Sequence, residues 1–454
     1  MIAFSQVTLG AAALALVATL APAPPVRGEE VAVKLWSRAD RSGPLRAGNI
    51  VRAAELLNKQ LAAAGADRRI AVEVHENNAK GYDDDALDLF KAFAVDKGPD
   101  LYVAAHEWIA AFAEAGYAMN LEAHIARYPE YYGDVIEVLW QATLYEGARY
   151  AVPQDSEIRM FFYRKDLLRE IGKSEAFIEG LPAMVERGAF TIWELSALAR
   201  EVVEGTEAQY GIIHRPNVGP DFLMILASFG FDPFDERSGK LQASRAALTE
   251  FLRWIAHNVA QGVTPANNTA LSWDTVNVLL PQGKAFIKLH GVWDVPRQIR
   301  YGISEDNAEA YFKTVGWLHA PPAKRGGAPA NLSHPIVYLV NPRSPNAELA
   351  ALLVAIASQS YFNTGHAVST GHTAITHGQT AMPAYRAAWA LQAATPMLAR
   401  SIFMPNHPGI GLFNAAIFKG LQGVETGRLE PEEGARFIIE ELEAELGDEV
   451  VIVD

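Results

Sequence analysis

Apolar positions in the first third of the chain follow strand and helix periods in turn. Short apolar runs typical of buried strands alternate with segments whose apolar residues recur three and four positions apart, as on one face of a helix. The predicted elements are strands at 31–36, 70–74 and 101–104 and helices at 49–63 and 84–95. This alternation predicts a parallel sheet with right-handed crossovers. Ligands bind beyond the carboxyl ends of such strands, which places residues 37–42, 76–78 and 106–108 around one crevice.

The most informative stretch is residues 150–172, YAVPQDSEIRMFFYRKDLLREIG. Pro153 ends one extended run. Residues 158–163 form a second run of apolar and aromatic residues, which is typical of a buried parallel strand. Residues 166–172 predict a short helical turn closed by a glycine.

The rest of the chain continues to mix strand and helix patterns. Thr191 and Ser244 stand at the predicted starts of two helices, where a hydroxyl can accept a hydrogen bond from a free backbone N–H group. The predicted elements are strands at 210–213, 283–288 and 336–340 and helices at 191–203, 222–229, 244–258, 346–358 and 432–446. With 454 residues, this pattern predicts two α/β domains or one large α/β unit.

The first 28 residues differ from the others. Nearly every residue from Val7 to Ala23 is apolar or small, and no charge precedes Arg27. We interpret residues 1–28 as a secretory signal peptide, with a single membrane anchor as the alternative. The absence of cysteine excludes disulfides, thiolate metal sites and a lipid-modified amino-terminal cysteine. The net charge of −14 argues against a nucleic-acid surface.

Several motifs together resemble the family 1 extracellular solute-binding proteins, the sugar-capturing subunits of ABC importers, and the maltose-binding type in particular. Residues 150–172 resemble the family signature, and the other motifs follow in the family's order. They are Gly98-Pro-Asp100 with Ala105-His-Glu107, Phe190-Thr-Ile-Trp-Glu-Leu195, Gly283-Lys-Ala-Phe-Ile287, Gly291-Val-Trp293 and Met404-Pro-Asn406.

The resemblance implies a two-lobed periplasmic-binding-protein fold of type II. Each lobe would hold a central β-sheet flanked by helices, with a ligand cleft between the lobes. Residues 154–157 would lie at the hinge and the mouth of the cleft. The expected lobes are residues 29–155 with 337–380, and residues 156–336 with 381–454.

The resemblance also implies ligand-binding positions. Carboxylates and guanidinium groups make strong hydrogen bonds to sugar hydroxyls, and an indole can pack against a sugar face. Asp40 and Arg41 match a charged pair of the first loop. Independently of the resemblance, His372 is a candidate hydrogen-bond donor of the cleft. The other matched positions are Glu107, Trp108, Glu157, Arg215, Asn217, Trp293 and Asn414.

Some positions depart from the maltose type. Ala104 replaces a tryptophan, Arg215 and Asn217 replace a glutamate and a stacking tyrosine, and Asn414 (or Phe413) replaces a further tryptophan. These losses make maltose or a long glucan doubtful as a ligand. They favour a smaller sugar or polyol, or an acidic or phosphorylated one.

Competing interpretations accompany these assignments. From the residues alone, Trp293 could pack in a core, and Asp40 and Arg41 could form a weak surface ion pair. Glu107 and Glu157 could be solvated or helix-capping acids, and Arg215 could line a surface loop. The spacing of His366, His372 and His377 is not that of a helical zinc site, so we expect no metal. Nor do we expect a cofactor.

The function that follows is a periplasmic binding protein of an ABC importer, which captures a sugar, polyol or small oligosaccharide by hinge closure and delivers it to inner-membrane permease subunits. We expect a monomer with no nucleic-acid partner. The alternatives are a carrier for an acidic or phosphorylated sugar and a ligand receptor for chemosensing. A glycan-cleaving enzyme is a remote alternative, because no nucleophile elbow, phosphate loop or HExxH motif occurs.

Overall fold

The computed structural model describes residues 30–38, 45–77 and 82–454. The predicted signal peptide and the predicted ligand residues Asp40 and Arg41 lie outside these ranges. Within them, no helix combines the length and the apolar character needed to cross a bilayer.

The strands alternate with helices along most of the chain. The strands are β1 (Glu30–Arg38), β2 (Arg69–Asn77), β3 (Leu101–Ala105), β4 (Leu144–Tyr145), β5 (Ala148–Arg149), β6 (Val152–Pro153), β7 (Arg159–Arg164), β8 (Tyr210–Ile213), β9 (Phe234–Asp235), β10 (Lys240–Ser244), β11 (Ala285–Gly291), β12 (Val315–Leu318), β13 (Asn331–Leu332), β14 (Ile336–Val340), β15 (Ser401–Ile402) and β16 (Val450–Val453). The helices are α1 (Leu45–Ala63), α2 (Tyr82–Ala94), α3 (Ile109–Glu114), α4 (Glu122–Arg127), α5 (Pro129–Tyr132), α6 (Glu137–Gln141), α7 (Lys165–Glu170), α8 (Glu175–Glu186), α9 (Ile192–Gly205), α10 (Asp221–Ser228), α11 (Arg245–Ala260), α12 (Trp273–Leu279), α13 (Val295–Arg300), α14 (Ala308–Thr314), α15 (Ala347–Ala357), α16 (Ser360–Thr370), α17 (Pro383–Ala387), α18 (Trp389–Ala394), α19 (Ile410–Glu425) and α20 (Pro431–Leu446). Short 3₁₀ turns occupy His106–Trp108, Asn268–Ala270, Val292–Asp294, His377–Ala381, Thr395–Arg400 and Gly447–Glu449.

The chain forms two compact units. Unit 1 contains the described residues up to Gln154 together with Ile336–Thr370 and Ile375–Met382. Unit 2 contains Asp155–Pro335, Gly371–Ala374 and Pro383–Asp454. These bounds lie within two residues of the predicted lobe bounds, except that the short segment Gly371–Ala374 belongs to unit 2.

Unit 1 is built on a five-stranded sheet in the order β2-β1-β3-β14-β6. β1 pairs in parallel with β2 and β3, as the alternating pattern predicts. β14 adds an antiparallel strand between β3 and β6. The helix α15 is buried at every position from Leu349 to Ala357, which explains why its sequence is apolar all round rather than on one face.

Unit 2 contains a six-stranded sheet with the path β15-β13-β7-β11-β8, and β12 also pairs with β7. All six residues of β7 are buried, as predicted. The predicted parallel pairing of this strand is wrong, because β7 runs antiparallel to β11, β12 and β13. A continuous apolar run indicates that both faces of a strand are buried. It does not indicate whether the neighbouring strands run parallel or antiparallel to it.

The predicted helix caps of unit 2 are present. Thr191 and Glu194 form a reciprocal capping box at the start of α9. The Ser244 hydroxyl accepts a hydrogen bond from the backbone N–H of Ala247 at the start of α11. At the end of the chain, β16 pairs in parallel with β10 in a three-stranded sheet.

Candidate ligand-binding site

Charged and aromatic side chains collect at one edge of the unit 2 sheet. β8 and β11 are parallel, so their carboxyl ends share this edge. β7 is antiparallel to β11, and Arg159 at its beginning is paired with Gly291 at the end of β11. The loop after β8, the turn after β11 and the start of β7 therefore meet, which is the edge where ligands bind in such sheets.

Four of these side chains form a continuous chain of opposite charges. Arg159 Nη2 lies 2.5 Å from Glu157 Oε1, and Arg159 Nη1 donates to Asp221 Oδ2 at 3.0 Å. Arg215 Nη1 donates to the same Asp221 oxygen. Two carboxylates thus balance two guanidinium groups. The formal charge of this cluster, Glu157–Arg159–Asp221–Arg215, is zero.

Burial sets the protonation of the cluster. Burial raises the pKa of Glu157, and the charge of Arg159 opposes that rise. Burial would also raise the pKa of Asp221, but the charges of Arg159 and Arg215 outweigh it and hold the pKa below its ordinary value. Asp221 therefore stays ionised as the shared centre of the cluster.

Trp293 lies beside this cluster in the turn after β11. Its ring centroid is 4.7 Å from the guanidinium carbon of Arg159, and its edge meets the His290 ring at 5.2 Å. The ring also fills the space above Gly291, where an added Cβ would lie 1.6 Å from Trp293 Cζ3. Trp293 remains partly exposed between buried neighbours, so it presents an indole surface that a core tryptophan would not.

Replacing Gly291 with alanine tests this packing. Gly291 has extended backbone angles that alanine also adopts, so the added methyl group should act only by displacing the Trp293 ring. We expect a shifted tryptophan emission spectrum and about a tenfold loss of ligand affinity, because misplaced binding groups lose most of their contact energy. Gly180→Ala is the control, since a Cβ at Gly180 meets no atom within 4 Å. Unchanged emission and affinity for Gly291→Ala would contradict the role of the glycine.

His290 contributes a neutral hydrogen-bond donor. Its Nδ1 accepts a hydrogen bond from the backbone N–H of Gly291 at 2.9 Å, which leaves the proton on Nε2. Burial lowers the pKa of His290 to about 3, so the ring is uncharged at neutral pH. Nε2 is buried and has no hydrogen-bond partner among the described residues. Such a group is suited to a ligand hydroxyl.

A second indole, Trp273, also contacts His290. Their ring centroids are 5.4 Å apart, and the guanidinium carbon of Arg215 lies 5.9 Å from the Trp273 ring. Arg215 itself rests on Gly219, where an added Cβ would lie 1.9 Å from Arg215 Cζ. Both indoles are therefore held against guanidinium groups that share Asp221.

A buried polar group beneath the turn fixes its position. Lys288 Nζ donates to Asp294 Oδ2 at 2.8 Å and to Asn277 Oδ1 at 3.0 Å. Gln298 Nε2 donates to the same Asp294 oxygen at 3.0 Å. The side chains of Lys288 and Asp294 are fully buried. Because Asp294 follows Trp293 directly, this group anchors the turn that carries the indole.

The structure assembles only some of the predicted residues. Glu157 and Arg215 belong to the charged cluster of unit 2, and Trp293 lies beside it. Asn217 Oδ1 accepts a hydrogen bond from Arg215 Nη2 at 3.2 Å. Arg215 is not a surface-loop side chain, since only 14% of it is exposed. The Asn414 amide contacts Met404 Sδ at 3.5 Å on α19.

The remaining predicted residues lie in other surroundings. Glu107 is buried in the 3₁₀ turn that follows β3 in unit 1. Trp108 packs its edge against Phe90 in the same unit, at 6.3 Å between ring centroids. His372 Nε2 lies 3.7 Å from the Asp155 carboxylate in unit 2.

Four members of the unit 2 site were missed by the sequence analysis: Arg159, Asp221, Trp273 and His290. Arg159 carried a usable signal, because a charged residue inside an apolar strand pattern needs a buried partner. Asp221 and Trp273 stand at the starts of helices, where their residue types are ordinary. Only the tertiary fold brings them to the sheet edge.

Two α/β units with mixed sheets, and a polar and aromatic cluster at a sheet edge, are the architecture of a two-domain periplasmic binding protein. The sequence profile of the bacterial extracellular solute-binding proteins matches residues 65–358, which is well over half of the chain. The chain belongs to this family, and the resemblance inferred from its motifs is confirmed.

Known relatives agree with this assignment. The maltotriose-binding protein of Pyrococcus abyssi is 23% identical over 209 residues, which is 45% of this chain and 40% of that relative. The GacH receptor of Streptomyces glaucescens, solved unliganded and with acarbose, is 19% identical with a TM-score of 0.69 over 92% of this chain and 99% of that chain. The sugar-binding protein MalE of Xanthomonas citri is 17% identical with a TM-score of 0.70 over 91% and 97%. The two structures confirm the predicted two-lobed fold.

Proposed function

We propose that this protein captures a carbohydrate for an ABC importer and releases it unchanged to permease subunits. Family membership supports the role of a binding protein. The maltotriose-binding relative and the acarbose-bound neighbour support a sugar as the ligand. The ligand contacts that we propose in unit 2 come from Glu157, Arg159, Arg215, His290 and Trp293. Asp40, Arg41, Glu107, Trp108, Asn217, His372 and Asn414 remain predicted ligand positions.

The observation that carries this proposal is the presence of buried polar atoms without hydrogen-bond partners beside the partly exposed indole of Trp293. Arg159 Nε and His290 Nε2 are buried and have no hydrogen-bond partner among the described residues. Burying such donors is costly unless something accepts their hydrogen bonds. A sugar has hydroxyl groups at its rim and C–H groups on its faces, so it can satisfy the donors and pack against Trp293 together.

The charge balance favours a neutral sugar over an acidic or phosphorylated one. Both guanidinium groups are already paired with Glu157 and Asp221, and His290 is neutral. An anionic ligand would add an uncompensated negative charge to a buried site, which is unfavourable. The gain of Arg215 relative to the maltose type is offset by Asp221.

The cellular context of the proposal follows the same class. We propose export by the predicted signal peptide, residence in the periplasm as a monomer, and capture by hinge closure. The chain passes from one unit to the other after Gln154, Pro335, Thr370, Ala374 and Met382. Domain closure of binding proteins relies on a few such residues that absorb the backbone rotation.

The proposal is tested by thermal-shift measurements with neutral mono-, di- and trisaccharides, polyols, uronic acids and sugar phosphates. A true ligand at about 100 times its Kd should stabilise the protein by about 2.7 kcal/mol, which corresponds to a rise in Tm of several degrees. Chromatography of the recovered sugar should show no product. Failure of every carbohydrate to stabilise the protein, or formation of a product, would overturn the proposal.

Glu157→Gln provides the matching variant. It keeps the size of the side chain but removes the charge that strengthens its hydrogen bonds and holds Arg159. We expect about a tenfold weaker affinity for the best neutral ligand by isothermal titration calorimetry. Glu186→Gln, on an exposed side chain of α8, should leave the affinity unchanged. Equal affinities for Glu157→Gln and the wild type would remove Glu157 from the site.

A further inference from the structure

The two indoles of unit 2 have matching surroundings. Arg159 lies against Trp293 and Arg215 lies against Trp273. Both guanidinium groups bind the same oxygen of Asp221. His290 contacts both rings. The cluster therefore holds two aromatic surfaces in one fixed arrangement around a shared carboxylate and a shared imidazole.

Trp273 has the exposure that such a surface needs. It is partly exposed at the start of α12, whereas Val276, Asn277 and Leu279 of the same helix are buried. The ring centroid of His290 lies 5.4 Å from that of Trp273 and 5.2 Å from that of Trp293, so the two indoles are separate surfaces that share one imidazole neighbour. A single sugar ring on Trp293 would leave Trp273 uncovered.

We propose that Trp273 is a second stacking surface and that it makes the site selective for ligands with at least two linked sugar rings. One ring would pack on Trp293 and the next would reach Trp273. This inference rests on the proposed capture of a carbohydrate. It also modifies the expectation, drawn from the lost aromatic positions, of a small ligand, because Trp273 supplies an aromatic surface at a different place in the chain.

The test compares ligands of increasing length with two variants. The best-binding sugar of the thermal-shift panel is measured by calorimetry together with its one-, two- and three-ring counterparts. Trp293→Leu should weaken binding of every length. Trp273→Leu should weaken the two- and three-ring sugars by about fivefold to tenfold, which is the usual range for one aromatic contact, and leave the one-ring sugar unchanged. Leucine retains apolar packing against Val276 and Leu279, so the fold is preserved.

Trp193→Leu on α9 serves as the control, since Trp193 packs against Phe229 and should not affect any affinity. Equal losses for all lengths in Trp273→Leu, or no loss for any, would overturn the inference. So would a wild-type protein that gains nothing from a second sugar ring, although carbohydrate capture itself would then stand. Binding of no carbohydrate at all would instead refute the proposed function, and the inference with it.

Discussion

Replacing Asp221 with asparagine is expected to lower the free energy of unfolding by about 3–5 kcal/mol, because it leaves two guanidinium groups in a buried site without their shared carboxylate. Arg159 and Arg215 both bind one oxygen of Asp221, and their own repulsion would no longer be balanced. Arg159 packs against the indole of Trp293, and Arg215 packs against that of Trp273. Ligand affinity should therefore fall by at least about tenfold in the same variant. Urea denaturation followed by tryptophan fluorescence measures the stability.

The pH dependence of this loss has a definite sign. The pKa of Asp221 is lower in the folded protein than in the unfolded chain. Its stabilising contribution is therefore complete above the unfolded pKa of about 4 and is lost as the pH falls towards the folded value. The wild type and Asp221→Asn should differ most at neutral pH and converge below about pH 4. Glu432→Gln, in an exposed ion pair with Arg253, should cost less than about 1 kcal/mol. A similar loss in both variants would refute the role of Asp221.

Replacing Lys288 with methionine is expected to cost about 3 kcal/mol of stability, since it removes the ammonium partner of the buried Asp294 carboxylate and leaves it with the partly exposed guanidinium of Arg297, whose Nη1 lies 3.1 Å from Asp294 Oδ1. Burial would raise the pKa of Asp294, but His290 and Lys288 outweigh it and lower the pKa to about 2. Asp294 is thus ionised at neutral pH in the folded protein. Because it adjoins Trp293, the variant should also shift the tryptophan emission and weaken ligand binding.

The double variant Lys288→Met with Asp294→Asn distinguishes the cost of an unpaired Asp294 charge from the cost of altered packing around the ion pair. It removes both charges and retains the amide that Gln298 can bind, so it should recover part of the stability lost in Lys288→Met. Lys419→Met is the surface control. Lys419 on α19 pairs with Glu441 on α20 at the surface, so its loss should cost less than about 1 kcal/mol. A double variant that is less stable than Lys288→Met would show that the pair is not the source of the loss.

The fold was predictable where local patterns agree with tertiary packing. The parallel strands β1, β2 and β3 and the capped helices α9 and α11 follow directly from apolar periods and cap residues. The antiparallel direction of β7 could not be predicted, because its residues are buried on both faces and the sequence does not indicate which strands flank it. The apolar pattern predicts β14 as a strand, but its antiparallel position between β3 and β6 depends on segments that are distant in the sequence.

The site divides in the same way. Glu157 and Trp293 are predicted from motifs whose residues lie close together in the sequence, and the structure brings both to the same sheet edge. Asp221 and Trp273 could not be assigned, because their role depends on side chains that arrive from other strands and loops. Gly291 belonged to a recognised motif, but the reason for a glycine there became clear only when the indole was seen above it.

The insertion of β14 between β3 and β6 has a consequence for biosynthesis. More than 180 residues of unit 2 lie between β6 and β14 in the sequence. The sheet of unit 1 therefore cannot be completed until about three quarters of the chain has been synthesised. Non-local pairing of this kind slows folding. A chain that completes its first sheet late stays extended for longer, which is compatible with the export that we propose for this protein.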